Sequence, residues 1–205
     1  MKKIILFTLA ALLHTVGCDA QLKTESILVK TEIIQKPKRL PLVEDGPIKN
    51  VIFIIGDGTG LAQLYTGQLH LAGKDGLLNV QTLPVTGFSK TYSKSNLITD
   101  SAAGATAYSC GMKTNNGMIA YLPDGSSCKT ILEMAEEKGM STGVVATSTI
   151  THATPASYAS HVESRSSQDE IAAQYLDSGM EIILGGGLEY FAPQSESFSK
   201  RSSHN

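Results

Sequence analysis

The sequence predicts an α/β protein with a central, mostly parallel sheet flanked by helices. Short apolar runs of strand length (Val51–Ile55, Thr142–Ala146, Glu181–Leu184) alternate with segments of helical patterning. Parallel neighbours joined through a helix are the economical way to connect such an alternation, and the crossover is right-handed. Each apolar run also ends in small or turn-forming residues, as strands feeding loops do.

In chain order, the first twenty residues are read as an export signal and not as part of the fold. Lys2 and Lys3 precede the apolar run Ile4 to Leu13, too short to span a bilayer. Two cleavage readings stand open, one before Cys18 as a lipoprotein-type site and one after Ala20. Residues 21–49, rich in Lys, Thr and Pro, read as a linker and N-terminal arm. The folded domain is expected over 50–205. Val51–Ile55, continuously apolar, is expected to be a strand buried on both faces. A helix follows within 58–73. Ser101 to Cys110 is helical, capped by Asp100 or Ser101, filled with Ala and ended by Gly111. Thr130–Lys138 is amphipathic and stops at Gly139. Gln168–Leu176 carries Asp169 and Glu170 in its first turn, where the helix dipole favours acids. Residues 194–205 are Ser-rich and predict neither a strand nor a folded terminus.

Composition narrows the function. At 41% hydrophobic and 18% charged residues the chain is ordinary for a globular protein, and a net charge of −2 gives no footprint for nucleic acid. No internal stretch is apolar for long enough to cross a membrane. Cys110 and Cys128 remain after either cleavage. An oxidising compartment permits a disulfide between them, but spacing alone does not establish one, and a small buried hydrophobe is the plainer reading of Cys110.

The chemistry-bearing residues fall beside the predicted strand ends, where open α/β sheets gather ligands. Asp57 lies between Gly56 and Gly58 directly after Val51–Ile55. Asp-Gly is also common turn chemistry, so the carboxylate alone is a weak signal. Ser101 opens a predicted helix, where free N–H groups and the dipole suit a phosphate, and small residues after it leave its hydroxyl uncrowded. A plain helix cap is the alternative. His152 and Thr154 follow the second strand and can serve a hard cation directly and at one remove, or act as loop hydrogen bonders. Arg165 offers a planar fork matched to phosphate oxygens, or is a solvated surface cation. His70, His161 and His204 support no claim. Gly185-Gly186-Gly187 lacks the Lys-Ser/Thr of a P-loop and reads as strand-end punctuation.

Gly56-Asp57-Gly58 after an apolar run, Thr99-Asp100-Ser101-Ala102-Ala103, and Thr151-His152-Ala153-Thr154-Pro155 leading to Arg165 together resemble the alkaline phosphatase family, in that family's order, from about Asn50 to Pro193. The resemblance implies a phosphomonoesterase with two zinc ions and one magnesium ion. Ser101 is then the nucleophile that becomes phosphoserine and touches one zinc, Asp57 bridges the second zinc and magnesium, Thr154 is a magnesium ligand, and Arg165 clamps phosphate. His152 stands where family members carry Asp or His, and the His versions act mostly at one remove from the metal. Sulfatase-type relatives are disfavoured, because Ser101-Ala102-Ala103 lacks their Pro and Arg context. The resemblance also implies a homodimer.

The family's remaining metal ligands lie downstream of these residues, so the chain is expected to be the N-terminal part of the enzyme and inactive alone. An exported product, periplasmic or anchored through a lipidated Cys18, is the expected localisation. The alternative is an exported lipoprotein that binds phosphate through Ser101 and Arg165 without hydrolysing it.

Overall fold

The computed structural model describes residues 46–201. The export signal with Cys18, the linker up to residue 45, and His204 lie outside the described residues. In chain order the elements are α1 (Leu61–Leu71), a 3-10 turn (Asn79–Thr82), α2 (Ser101–Cys110), α3 (Ile131–Glu136), β1 (Gly143–Thr149), α4 (Ala153–Ala156), α5 (Gln168–Leu176), β2 (Ile182–Gly186) and a final 3-10 turn (Leu188–Tyr190).

The expected α/β arrangement is present: β1 and β2 pair in parallel, with α4 and α5 in the connection between them. The register sets Gly143 opposite Ile182 and Val145 opposite Leu184, then shifts before Thr149 meets Gly186. At Gly143 the strands come so close that a Cβ would lie 2.7 Å from that of Ile182, so no side chain fits there. The core sits on one face of this ladder. Val144, Ala146 and Ile183 pack against Ile150, Ala153, Ala156, Ile171 and Tyr175, while Val145 and Leu184 point away and stay 71% and 58% exposed.

Local chemistry explains the helices that matter. Asp100 caps α2 by accepting a 3.0 Å hydrogen bond from the Ala103 N–H. Gly111, at φ 70°, ends α2 in the left-handed conformation that suits glycine. The buried face of α2 is Ala102, Ala103, Ala105, Thr106 and Ser109, small enough for α4 to lie against it. The α3 N-terminus is a capping box, in which Thr130 accepts from the Glu133 N–H and the Glu133 carboxylate accepts from the Thr130 N–H. It ends two residues earlier than the sequence suggests, with Gly139 closing the turn onto the Glu136 carbonyl.

Two expectations fail. Val51–Ile55 is not a strand: among the described residues no neighbouring strand supplies ladder hydrogen bonds, and Ile52 and Ile54 are 85% and 86% exposed. A continuous apolar run says that a segment suits a buried sheet, but only a neighbour makes it one. The segment is held instead by Phe53, whose ring lies 5.7 Å from that of Tyr108 on α2 and 6.1 Å from that of Tyr158 after α4. The residues after Gln194 also fold back, up to the last one described. The Lys200 N–H donates to the Glu189 carbonyl and the Ser199 hydroxyl to that of Ala192, which satisfies backbone groups a polar composition leaves unassigned.

Candidate active site

Asp57 sits in a tight turn closed by the Thr59 N–H on the Gly56 carbonyl at 3.0 Å, with Gly58 at φ 67°. Its Oδ2 accepts a 3.0 Å hydrogen bond from the Thr154 hydroxyl on α4. Both residues line a cleft of about 700 Å³ that also takes in Asp100 and Ser101. Three of the residues singled out from sequence, Asp57, Ser101 and Thr154, thus share one cavity.

Ser101 is the first residue of α2, directly after its cap, and is half-buried. Its hydroxyl makes no hydrogen bond among the described residues. Asp100 does the capping, so the serine oxygen is left for other work, at a helix end where free N–H groups favour an anion.

Arg165 and His152 do not line the cleft. They reach it through Asp100, whose Oδ2 accepts from Arg165 Nη1 at 3.0 Å and from the Gly117 N–H at 3.0 Å. Arg165 Nη2 lies 3.2 Å from His152 Nε2. A guanidinium can only donate, so that nitrogen holds the lone pair and the ring proton sits on Nδ1. In this arrangement neither ring nitrogen of His152 has a lone pair free for a metal. Two of the five Arg165 N–H donors are occupied, and three remain for an anion. The Arg165 backbone is fixed as well, its N–H donating to the Gly117 carbonyl at 2.8 Å.

Sequence reasoning took Asp100 as a candidate cap only. Its second role, holding Arg165, was missed because Asp100 and Arg165 are 65 residues apart. Asn116 and Gly117 were missed too, although Asn-Gly is a turn signal. The Asn116 side chain accepts from the Asp100 N–H and donates to the Ile98 carbonyl, pinning the approach to α2. His161, for which no role was found, bridges Glu133 Oε1 and the Ala120 carbonyl at 2.8 and 2.9 Å and belongs to the fold.

Oxygen donors Asp57 and Thr154 at 3.0 Å from each other suit a hard cation. Among the described residues no three His, Cys, Asp or Glu side chains converge as a metal centre. A hydroxyl at a helix N-terminus and a carboxylate-hydroxyl pair thus share one cleft on an α/β scaffold, with an arginine tied to the cap residue Asp100. The chain belongs to the alkaline phosphatase family, whose model matches residues 48–204.

Alkaline phosphatase 3 of Bacillus subtilis is 45% identical over 158 residues, covering 70% of this chain and 34% of the relative. The structure of alkaline phosphatase from the Antarctic bacterium TAB5 superposes with a TM-score of 0.62 at 43% identity, over 71% of this chain and 41% of that one. A variant of the TAB5 enzyme with a histidine replaced by glutamate has magnesium bound in its M3 site; it superposes with a TM-score of 0.62 at 40% identity, over 70% and 40% of the two chains. The chain spans about a third of the length of the curated relatives it matches.

Proposed function

We propose that these residues are the nucleophile-bearing part of a metal-dependent phosphate monoester hydrolase. The observation that carries this reading is the uncommitted Ser101 hydroxyl opening on the cleft that Asp57 and Thr154 share, with Asp100 tying Arg165 alongside. In the proposed reaction Ser101 Oγ bonds to phosphorus as the bond to the leaving alcohol oxygen breaks. Water then cleaves the phosphoserine and regenerates the hydroxyl. The free N–H donors of Arg165 take equatorial phosphoryl oxygens, and the α2 N-terminus adds its dipole.

Asp57 and Thr154 fit magnesium, with His152 steadying Arg165 from outside the metal shell. For zinc, the Asp57 and Ser101 oxygens are two donors where a catalytic ion takes about three protein ligands. The described residues therefore do not by themselves complete a site for the pair of zinc ions. Bound cations supply Lewis acidity that brings a hydroxyl or water to deprotonation near roughly pH 7. Phosphate-monoester hydrolysis needs enhancements up to on the order of 10²¹, beyond one serine and one arginine. The 205 residues alone are accordingly expected not to turn over.

Lys2, Lys3 and the apolar run after them support export, to a periplasm or to a membrane through a lipidated Cys18. Phosphate monoesters are the proposed substrates and a homodimer the proposed assembly.

The test uses the native protein purified from its source cells. Its intact mass and C-terminal peptides establish how much chain follows these residues. Incubation with inorganic phosphate, acid quench and peptide mapping should then give phosphoserine at Ser101. Phosphate binding that chelators leave intact, with no phosphoserine, would instead favour a non-catalytic phosphate-binding lipoprotein.

A further inference from the structure

We propose that Cys110 and Cys128 are a redox-closable pair, a dithiol that a disulfide-bearing oxidant converts into a cross-link between the last turn of α2 and the antiparallel turn over residues 120–128. Cys110 is the final residue of α2, and its Sγ donates to the Cys128 carbonyl at 3.1 Å. Cys128 is fixed in turn, since its N–H donates to the Ala120 carbonyl at 2.9 Å. It is 5% exposed in an apolar cluster with Ala120 and Leu122, and Cys110 packs against that cluster. Both cysteines are free thiols.

The two thiols differ in a way that sets the order of events. Cys110 is half-buried and reachable from solvent, whereas Cys128 is enclosed, and burial together with the neighbouring Cys110 thiol pushes its pKa up to about 12. The Cys110 thiolate therefore attacks first, displacing one thiol from the oxidant and leaving a mixed disulfide. The Cys128 sulfur then attacks Cys110 Sγ and releases the second thiol. Overall two cysteine thiols are oxidised and one external disulfide is reduced, with both protons leaving on the released thiols.

The ring so closed joins residues 18 apart and contains Asn116 and Gly117, which with Arg165 hold Asp100 from outside α2. A cross-link there fastens the loop that positions the partner of Arg165. Neither the pair nor its test depends on the role proposed for Ser101, because the readout is thiol chemistry.

The full chain is equilibrated across mixtures of oxidised and reduced glutathione, quenched with iodoacetamide and mapped without reduction. A peptide linking Cys110 to Cys128 is expected, and at least about tenfold more reducing conditions should be needed to open it in native buffer than in guanidinium chloride, because the fold holds Cys110 Sγ against the Cys128 backbone. The cross-linked form should also melt about 5 °C higher. Cys110→Ser and Cys128→Ser should each abolish the linked peptide, and either variant suffices if the other fails to fold. Alkylation of both residues at every redox ratio, equal ease of opening in guanidinium, or preferred pairing with Cys18 overturns the proposal.

Discussion

Asp57 and Thr154, 97 residues apart in sequence, are joined by a 3.0 Å hydrogen bond in which the threonine hydroxyl donates to the carboxylate. The bond aims one carboxylate oxygen and ties the turn after Val51–Ile55 to α4. Thr154→Val keeps the shape and removes the donor. If the pair holds magnesium, its affinity for the ion should fall by about tenfold to a hundredfold, as titration calorimetry would read. An unchanged affinity would remove Thr154 from the metal site.

Asp100 serves two structures at once, capping α2 through Oδ1 and holding Arg165 and the Gly117 N–H through Oδ2. Asp100→Ala should cost about 2 kcal/mol in denaturant unfolding, from the lost cap and the lost charge-assisted bonds. Asp100→Asn keeps the cap and should cost about half as much.

The Glu133 carboxylate carries a pH dependence. Burial works against its charge, but the Thr130 N–H and His161 outweigh that and hold its pKa below the ordinary 4.5. A depressed acid stabilises the fold above its unfolded pKa, and that contribution fades as pH falls through the folded value. Glu133→Ala should therefore melt below the wild type at neutral pH, with the gap shrinking as pH falls below the ordinary 4.5. A gap independent of pH would show that the carboxylate's charge contributes nothing.

Tyr175 is 1% exposed and its hydroxyl donates to the Ile150 carbonyl at 2.9 Å, just ahead of His152 and of α4, which carries Thr154. Tyr175→Phe should cost about 1 kcal/mol by leaving that buried carbonyl without its donor. Tyr175→Ala should cost about 4 kcal/mol, since a cavity is added. Near-equal losses for the two would mean that the ring's packing contributes little.

What the sequence made legible was local. The ends of α5 were read correctly from its acidic first turn and apolar spacing, and those of α2 from Asp100, the alanines and Gly111, because caps and stops act within a few residues. Ser101, Asp57 and Thr154 could be singled out because small residues, a turn and a strand end mark them. The Arg165–Asp100 pair and the His161–Glu133 bridge were not legible, since each joins residues that no local pattern connects. Val51–Ile55 was misread for a related reason. Its composition states a preference for a sheet, whereas its conformation depends on which segments lie beside it.

That segment has one more consequence. Val51, Ile52, Phe53 and Ile54 are four apolar residues in a row, all at least half exposed, and their backbone groups make no hydrogen bonds among the described residues. Such a strip is a template on which an identical strip from another molecule can add, and charge at its borders is the usual brake on aggregation. Here the brake is slight: Lys49 stands before the strip and Asp57 after it, with no charge between them. Wherever these four residues stay uncovered, an identical strip from a second copy can add beside them, so association rises with concentration.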